Sequence, residues 1–161
     1  MPSQELRQPF VEQPRDLISD VFQSADNNIL AANSYVEKAF LHENTAQQLT
    51  NLKAPADQWK AAKTELINAI VLYERSIEKN NKALNLLNSL EKTAKISGLI
   101  AQRTLANKLA KISADCHTLT LSFIDYFIDQ RMDLLKQIYP EIRACIKERK
   151  SLEEQAQKFS Q

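Results

Sequence analysis

Apolar residues recur along this chain at helical spacing, and the pattern divides it into rods. Positions Ile18, Phe22, Ala25, Ile29, Ala32, Val36, Ala39, Glu43, Ala46 and Thr50 follow a heptad. Eight of these ten are apolar, which predicts a long helix over 15–52. Pro55 in NLKAPADQW disfavours helix at Ala54 and suits the first turn of the next helix. So short a connection makes the two rods antiparallel neighbours. The second helix is expected over 56–96, its stripe running from Trp59 through Leu66, Tyr73 and Leu87 to Ala94, with Lys63, Asn80 and Glu91 as the polar exceptions. The single glycine, Gly98, is the natural C-terminal cap for it.

A third helix over 99–138 carries Leu105, Leu109, Ile112, Cys116, Leu119 and Phe123 in register. After Phe123 the stripe steps by four to Phe127, a stutter that turns it toward another neighbour. Pro140 then breaks or kinks the chain, and a shorter helix is expected over 141–158, with Ile142, Cys145, Ile146, Leu152 and Ala156 on one side. The fold class is therefore all-α: an antiparallel bundle of three long helices of about 40 residues, each about 60 Å long, plus a shorter C-terminal helix after Pro140. A continuous helix through Gly98 would cost only about 1 kcal/mol locally. It would also leave half of its apolar stripe uncovered, so the division at Gly98 is preferred.

Alanine stands at every seventh place in the first helix, at Ala25, Ala32, Ala39 and Ala46, and the second carries a matching small edge at Ala62, Ala69, Ser76 and Ala83. Two such edges facing each other allow backbones to approach at the lower end of the usual ~8–10 Å helix separation.

Residues 1–14 hold three of the five prolines and no sustained apolar period, and read as a flexible arm ahead of a single bundle domain over 15–161. The formal charge of +1 supplies no global field for nucleic acid or an acidic membrane. Cys116 and Cys145 both sit in apolar patterns, as buried free thiols would, which suits a reducing, cytoplasmic compartment. The uncharged run over 118–124 is far short of the ~20 residues of a membrane span, and the N-terminus lacks a signal-peptide core. Signal-less secretion stays open.

Motifs for chemistry are missing. The residues three before His42 and His117 are Ala39 and Ala114, so the Glu-x-x-His pairs of a di-metal bundle are absent. Two histidines and two cysteines give no zinc spacing, and one glycine cannot make a phosphate loop. No metal or cofactor is expected. Asp115, Cys116 and His117 are catalytic residue types, but neighbours on a helix point about 100° apart. They read as a core cysteine beside a surface histidine, and His42 likewise as solvent-facing.

Two surface features remain. Lys92, Lys95, Arg103, Lys108 and Lys111 form a basic stretch without an acid, expected at the bundle tip near Gly98 and facing Asp16, Asp20 and Asp26. No aromatic residue interleaves with it to stack bases. In LINAIVLY (66–73) and LTLSFIDYFI (119–128) apolar residues occupy nearly all sides of the helix. Reflection about Gly98 puts residue 70 opposite 126, which makes a belt containing Val71, Leu72, Leu121 and Ile128. The last helix covers this belt, or a protein partner or a second copy of the chain does. The leading expectation is a non-enzymatic protein-interaction module: an adaptor, scaffold or export-type chaperone offering a helix-lined groove to an amphipathic segment. The alternative is membrane-surface or nucleic-acid binding through the basic tip. An enzyme whose pocket no motif reveals is the third reading.

Overall fold

A computed structural model describes the backbone over residues 2–159 and the side chains over 17–159. Four helices follow one another: α1 (Pro2–Leu49), α2 (Ala56–Asn88), α3 (Ala94–Ile128) and α4 (Met132–Phe159). The protein is an all-α bundle in which α1 packs along α2, α2 along α3 and α3 along α4. The arm expected at 1–14 falls on residues whose side chains are not described, and the α1 backbone runs continuously from Pro2.

The small edges of α1 and α2 face each other. Ala25, Ala32, Ala39 and Ala46 are all buried, as are Ala62, Ala69, Ser76 and Ala83. Ala46 meets Ala62, Ala39 meets Ala69, and Ala25 meets Ala83 in three successive core clusters. α3 closes this pair with its own seven-residue repeat, Ile96, Arg103, Ala110, His117 and Ile124, every member buried. Ile96, Ala110 and Ile124 each enter one of the three apolar clusters. Arg103 and His117 fall between them, so apolar and polar layers alternate along the bundle. The stripe read from sequence, through Leu105, Ile112 and Cys116, belongs to a second buried face: the Ile112 carbonyl accepts from Cys145 of α4.

The helix ends differ from the sequence expectation. The chain turns at Ser89–Thr93, not at Gly98. Thr93 caps α3 by accepting from the Ile96 N–H at 3.2 Å, and Lys92 Nζ donates to the carbonyls of Leu87, Asn88 and Leu90. A turn capped at both ends by side chains does not require a glycine. Gly98 lies exposed within α3, and a methyl group added there would meet nothing within 4 Å. Gly98→Ala should therefore stabilise the protein by about 1 kcal/mol in urea unfolding. A capping glycine would give the opposite sign.

The second correction is at Pro140, which neither ends α3 nor starts α4. α3 ends at Ile128, and the reversal is made at Asp129–Arg131, where Gln130 adopts φ 56° and the Arg131 N–H donates to the Tyr126 carbonyl at 2.8 Å. Pro140 lies inside α4. Its missing N–H normally costs a helix about 3 kcal/mol. Leu135 and Ile138 before it and Ile142 and Cys145 after it are all buried, so packing holds the helix together on both sides.

These shifts also change the register of the belt, whose two segments meet through Leu66 with Leu121, Ile124 and Ile128. With the turn before Thr93, Tyr73 stands level with Ala110 and Ala114, and Leu66 with Ile124. Residue 70 is not opposite 126. Leu72 packs on the Ala39–Tyr73 cluster, Leu121 and Ile128 on the Trp59–Leu66 cluster, and Val71 is exposed. Leu152 shares a depression with Ile112, and Ala156 shares a cavity with Leu109.

Candidate functional site

Two polar layers cross the bundle interior. In the first, Arg103 of α3 donates through Nη1 to the side-chain oxygens of Asn33 on α1 (2.9 Å) and Asn80 on α2 (3.3 Å). Asn80 is a polar exception in the α2 stripe and is fully buried. Arg103 is 7% exposed, and its Nε has no hydrogen-bond partner. Burial lowers its pKa, and among the described residues no carboxylate lies close enough to offset that. Moving a cation out of water costs several kcal/mol when no counter-charge accompanies it. The first layer is therefore an uncompensated positive charge.

The second layer takes one side chain from each helix: Glu43 of α1, Tyr73 of α2, His117 of α3 and Arg149 of α4. The Glu43 carboxylate pairs with His117 Nε2 at 2.6 Å, receives Arg149 Nη2 at 2.8 and 3.0 Å, and accepts from the Tyr73 hydroxyl. Arg149 Nη2 also donates to the Tyr73 oxygen at 3.1 Å. Burial pushes the Glu43 carboxyl up, but the hydrogen bonds from His117 and Tyr73 and the Arg149 charge outweigh it, and its pKa falls below the ordinary value. Burial and the Glu43 charge push the Tyr73 phenol well above its usual range. Arg149 Nε lies 3.2 Å from Glu153 Oε1 without hydrogen-bond alignment. Unlike Arg103, Arg149 has its counter-charge.

Between the layers lies a cavity of about 220 Å³, bounded by α1, α3 and α4 with Tyr73 of α2 behind. Asn33 and Arg103 close one end and Ser113, Tyr73 and Arg149 the other, while Val36, Leu109 and Ala156 form apolar walls. Phe40 and Phe159, 41% and 47% exposed, stand on α1 and α4 where the cavity meets the surface. This opening is the α1–α4 seam, which Arg149 ties to Glu43 further along.

The residues singled out from sequence are dispersed. Arg103 is interior and does not belong to the tip. Lys92 caps α2, Lys95 lies over the Phe22 ring at 4.9 Å, and Lys111 pairs with Asp115 at 2.9 Å. Lys108 is exposed on the α3 surface, in a depression shared with Lys111. Val71, Leu72, Leu121 and Ile128 form no common surface. His117, expected at the surface, is buried because its position shares the period of Ile96, Ala110 and Ile124. His42 is half-buried, its Nδ1 2.5 Å from Glu65 across the α1–α2 interface.

Cys116 and His117 do point apart: His117 meets Glu43, while Cys116 neighbours Cys145, and burial together with that second thiol pushes the Cys116 thiol up. Both cysteines are free. Among the described residues no group of three or more His, Cys, Asp or Glu could hold a metal ion, and no helix is long and apolar enough to cross a membrane.

The signal for the missed residues was present. Glu43 and Asn80 interrupt apolar stripes, and Arg149 falls between Cys145 and Leu152 on the inner side of α4. Comparison with protein-family models, curated proteins and solved structures finds no match to this chain.

Proposed function

We propose that this protein is a non-enzymatic binding module that receives an anionic partner in the α1–α4 seam. The observation that carries the reading is Arg103, a buried guanidinium with no carboxylate beside it among the described residues, lining a cavity with apolar walls and polar ends. A bundle that keeps such a charge is destabilised by it, and an incoming anion would offset the cost. The second polar layer supports binding over catalysis. Glu43 is occupied by three donors, and burial pushes the Cys116 thiol up, away from the nucleophilic thiolate.

The adaptor, scaffold or export-type chaperone expected from sequence is one form of this reading. In it the anion is an acidic side chain on an amphipathic helix laid along the seam, and the exposed rings of Phe40 and Phe159 favour that form.

The test is a thermal-shift panel on the full chain and on Arg103→Met, with chloride, phosphate, simple carboxylates and an acidic amphipathic peptide. A ligand at a hundred times its Kd stabilises by about 2.7 kcal/mol, which for a chain of this size raises Tm by about 5–10 °C. At least one anion should do so in the wild type and fail in Arg103→Met. If every anion leaves both proteins unchanged, the reading is wrong.

A further inference from the structure

We infer that the cavity beneath the seam is a binding site for a small monocarboxylate carried on an apolar body, such as a phenyl ring or a chain of six to eight carbons. The inference rests on the reading of the seam as a binding surface and names the chemical class of its ligand. Charge, orientation, volume and wall chemistry each narrow that class.

Charge comes first. The cavity has a cation at each end and one carboxylate, Glu153, in its lining; Arg149 is neutralised by Glu43, and Glu153, 49% exposed, sits 3.2 Å from Arg149 at that same end. Of the two cations, Arg103 is the one with no carboxylate beside it among the described residues, so its end of the cavity takes one negative charge. A phosphate dianion would leave its second charge among Val36, Leu109 and Ala156 with nothing to offset it.

Orientation follows from the two asparagines. Asn33 and Asn80 hold Nη1, which fixes the guanidinium plane, and Nε is enclosed by protein without an acceptor, so an anion in the cavity meets the guanidinium through Nη2. A carboxylate oxygen accepts there in a charge-assisted hydrogen bond.

Volume sets the body. A cavity of about 150 Å³ lined by apolar side chains holds one benzene. The 220 Å³ here leaves room for a ring of that size plus a carboxylate, or for a short folded chain, and excludes a nucleotide or a long acyl chain. The apolar walls favour an unsubstituted hydrocarbon body, and the open edge between Phe40 and Phe159 gives it a way in.

The experiment is isothermal titration of the full chain with phenylacetate and octanoate. Benzyl alcohol serves as the body without the charge, and acetate and inorganic phosphate as the charge without the body. Phenylacetate or octanoate should bind one to one, at least about tenfold more tightly than any of the three controls. Arg103→Met should lose about tenfold to a hundredfold in affinity for the acid while its weak affinity for benzyl alcohol is unchanged. Glu153→Gln should bind the acid at least as well as wild type. Ala156→Phe, which fills the cavity and keeps Arg103, should abolish binding. It gives an independent reading if Arg103→Met folds poorly.

Equal affinity of wild type and Arg103→Met for the acid would overturn the inference, as would acetate or phosphate binding as tightly as phenylacetate. If the acidic peptide stabilises the chain through Arg103 and neither acid binds, the seam reading stands and this inference alone fails. If nothing binds, both fail.

Discussion

Glu43→Gln should destabilise the bundle by about 3–5 kcal/mol at pH 7, because it removes one partner of a buried, hydrogen-bonded ion pair and leaves the other uncompensated. Glu43 and Arg149 are only 15% and 17% exposed at the side chain, and His117 is buried against the same carboxylate. A glutamine oxygen would face three donors without the charge that holds them. Much of the loss should come from the stranded Arg149, so Glu43→Gln with Arg149→Met should be more stable than the sum of the two single variants.

The pH dependence follows from the sign of the shift. The folded pKa of Glu43 lies below its ordinary value of 4.5, so the stabilisation is fully present above that value and is lost as pH falls through the folded pKa. The gap between wild type and Glu43→Gln in urea unfolding should therefore be widest near neutrality and close in acid. A loss under about 1 kcal/mol at pH 7 would mean that the four-helix layer is not a stabilising network.

Truncation after Arg131 should have the largest effect of all. It removes Leu135, Ile138, Ile142 and Cys145, all buried against the rest of the bundle, and with them Arg149. Three aliphatic side chains and a buried thiol are worth about 6–10 kcal/mol of apolar burial, comparable with the ~5–15 kcal/mol net stability of a typical domain. The fragment should lose its cooperative thermal transition, bind a hydrophobic dye and self-associate. Truncation after Tyr139, where Pro140 suggests a boundary, leaves Leu135 and Ile138 in place and should have a milder effect. A fragment ending at Arg131 that stays monomeric, dye-silent and unchanged in Tm would show that α4 is dispensable to the core.

The rods were legible in the sequence because helical periodicity and alanine spacing are local signals. Ala25, Ala32, Ala39 and Ala46 could be assigned to one edge before any neighbour was known, and that edge is buried. The ends were less legible, because they depend on which of several weak signals prevails. Thr93 and Lys92 cap a turn that Gly98 was expected to make, and packing on both sides of Pro140 outweighs the proline.

The site was the least legible part. Arg103 looks like one basic residue among five until Ile96, Ala110, His117 and Ile124 are seen to share its seven-residue period. Glu43 and Asn80 were visible as exceptions in apolar stripes, but a single polar exception does not reveal its partner. Their meaning depends on register between helices, and one misplaced turn shifts that register by several residues.

The most direct measurement is side-chain NMR of the arginine Nε–H groups in the full chain, with the Arg103 signal assigned by its loss in Arg103→Met. The buried, unpartnered Nε–H of Arg103 should exchange slowly with water and shift saturably as phenylacetate is added. The signal of Arg143, which is exposed and does not line the cavity, should stay in place. An Arg103 signal that exchanges as fast as that of exposed Arg143, or that moves only in step with every other arginine as ionic strength rises, would contradict a buried cation waiting for its anion.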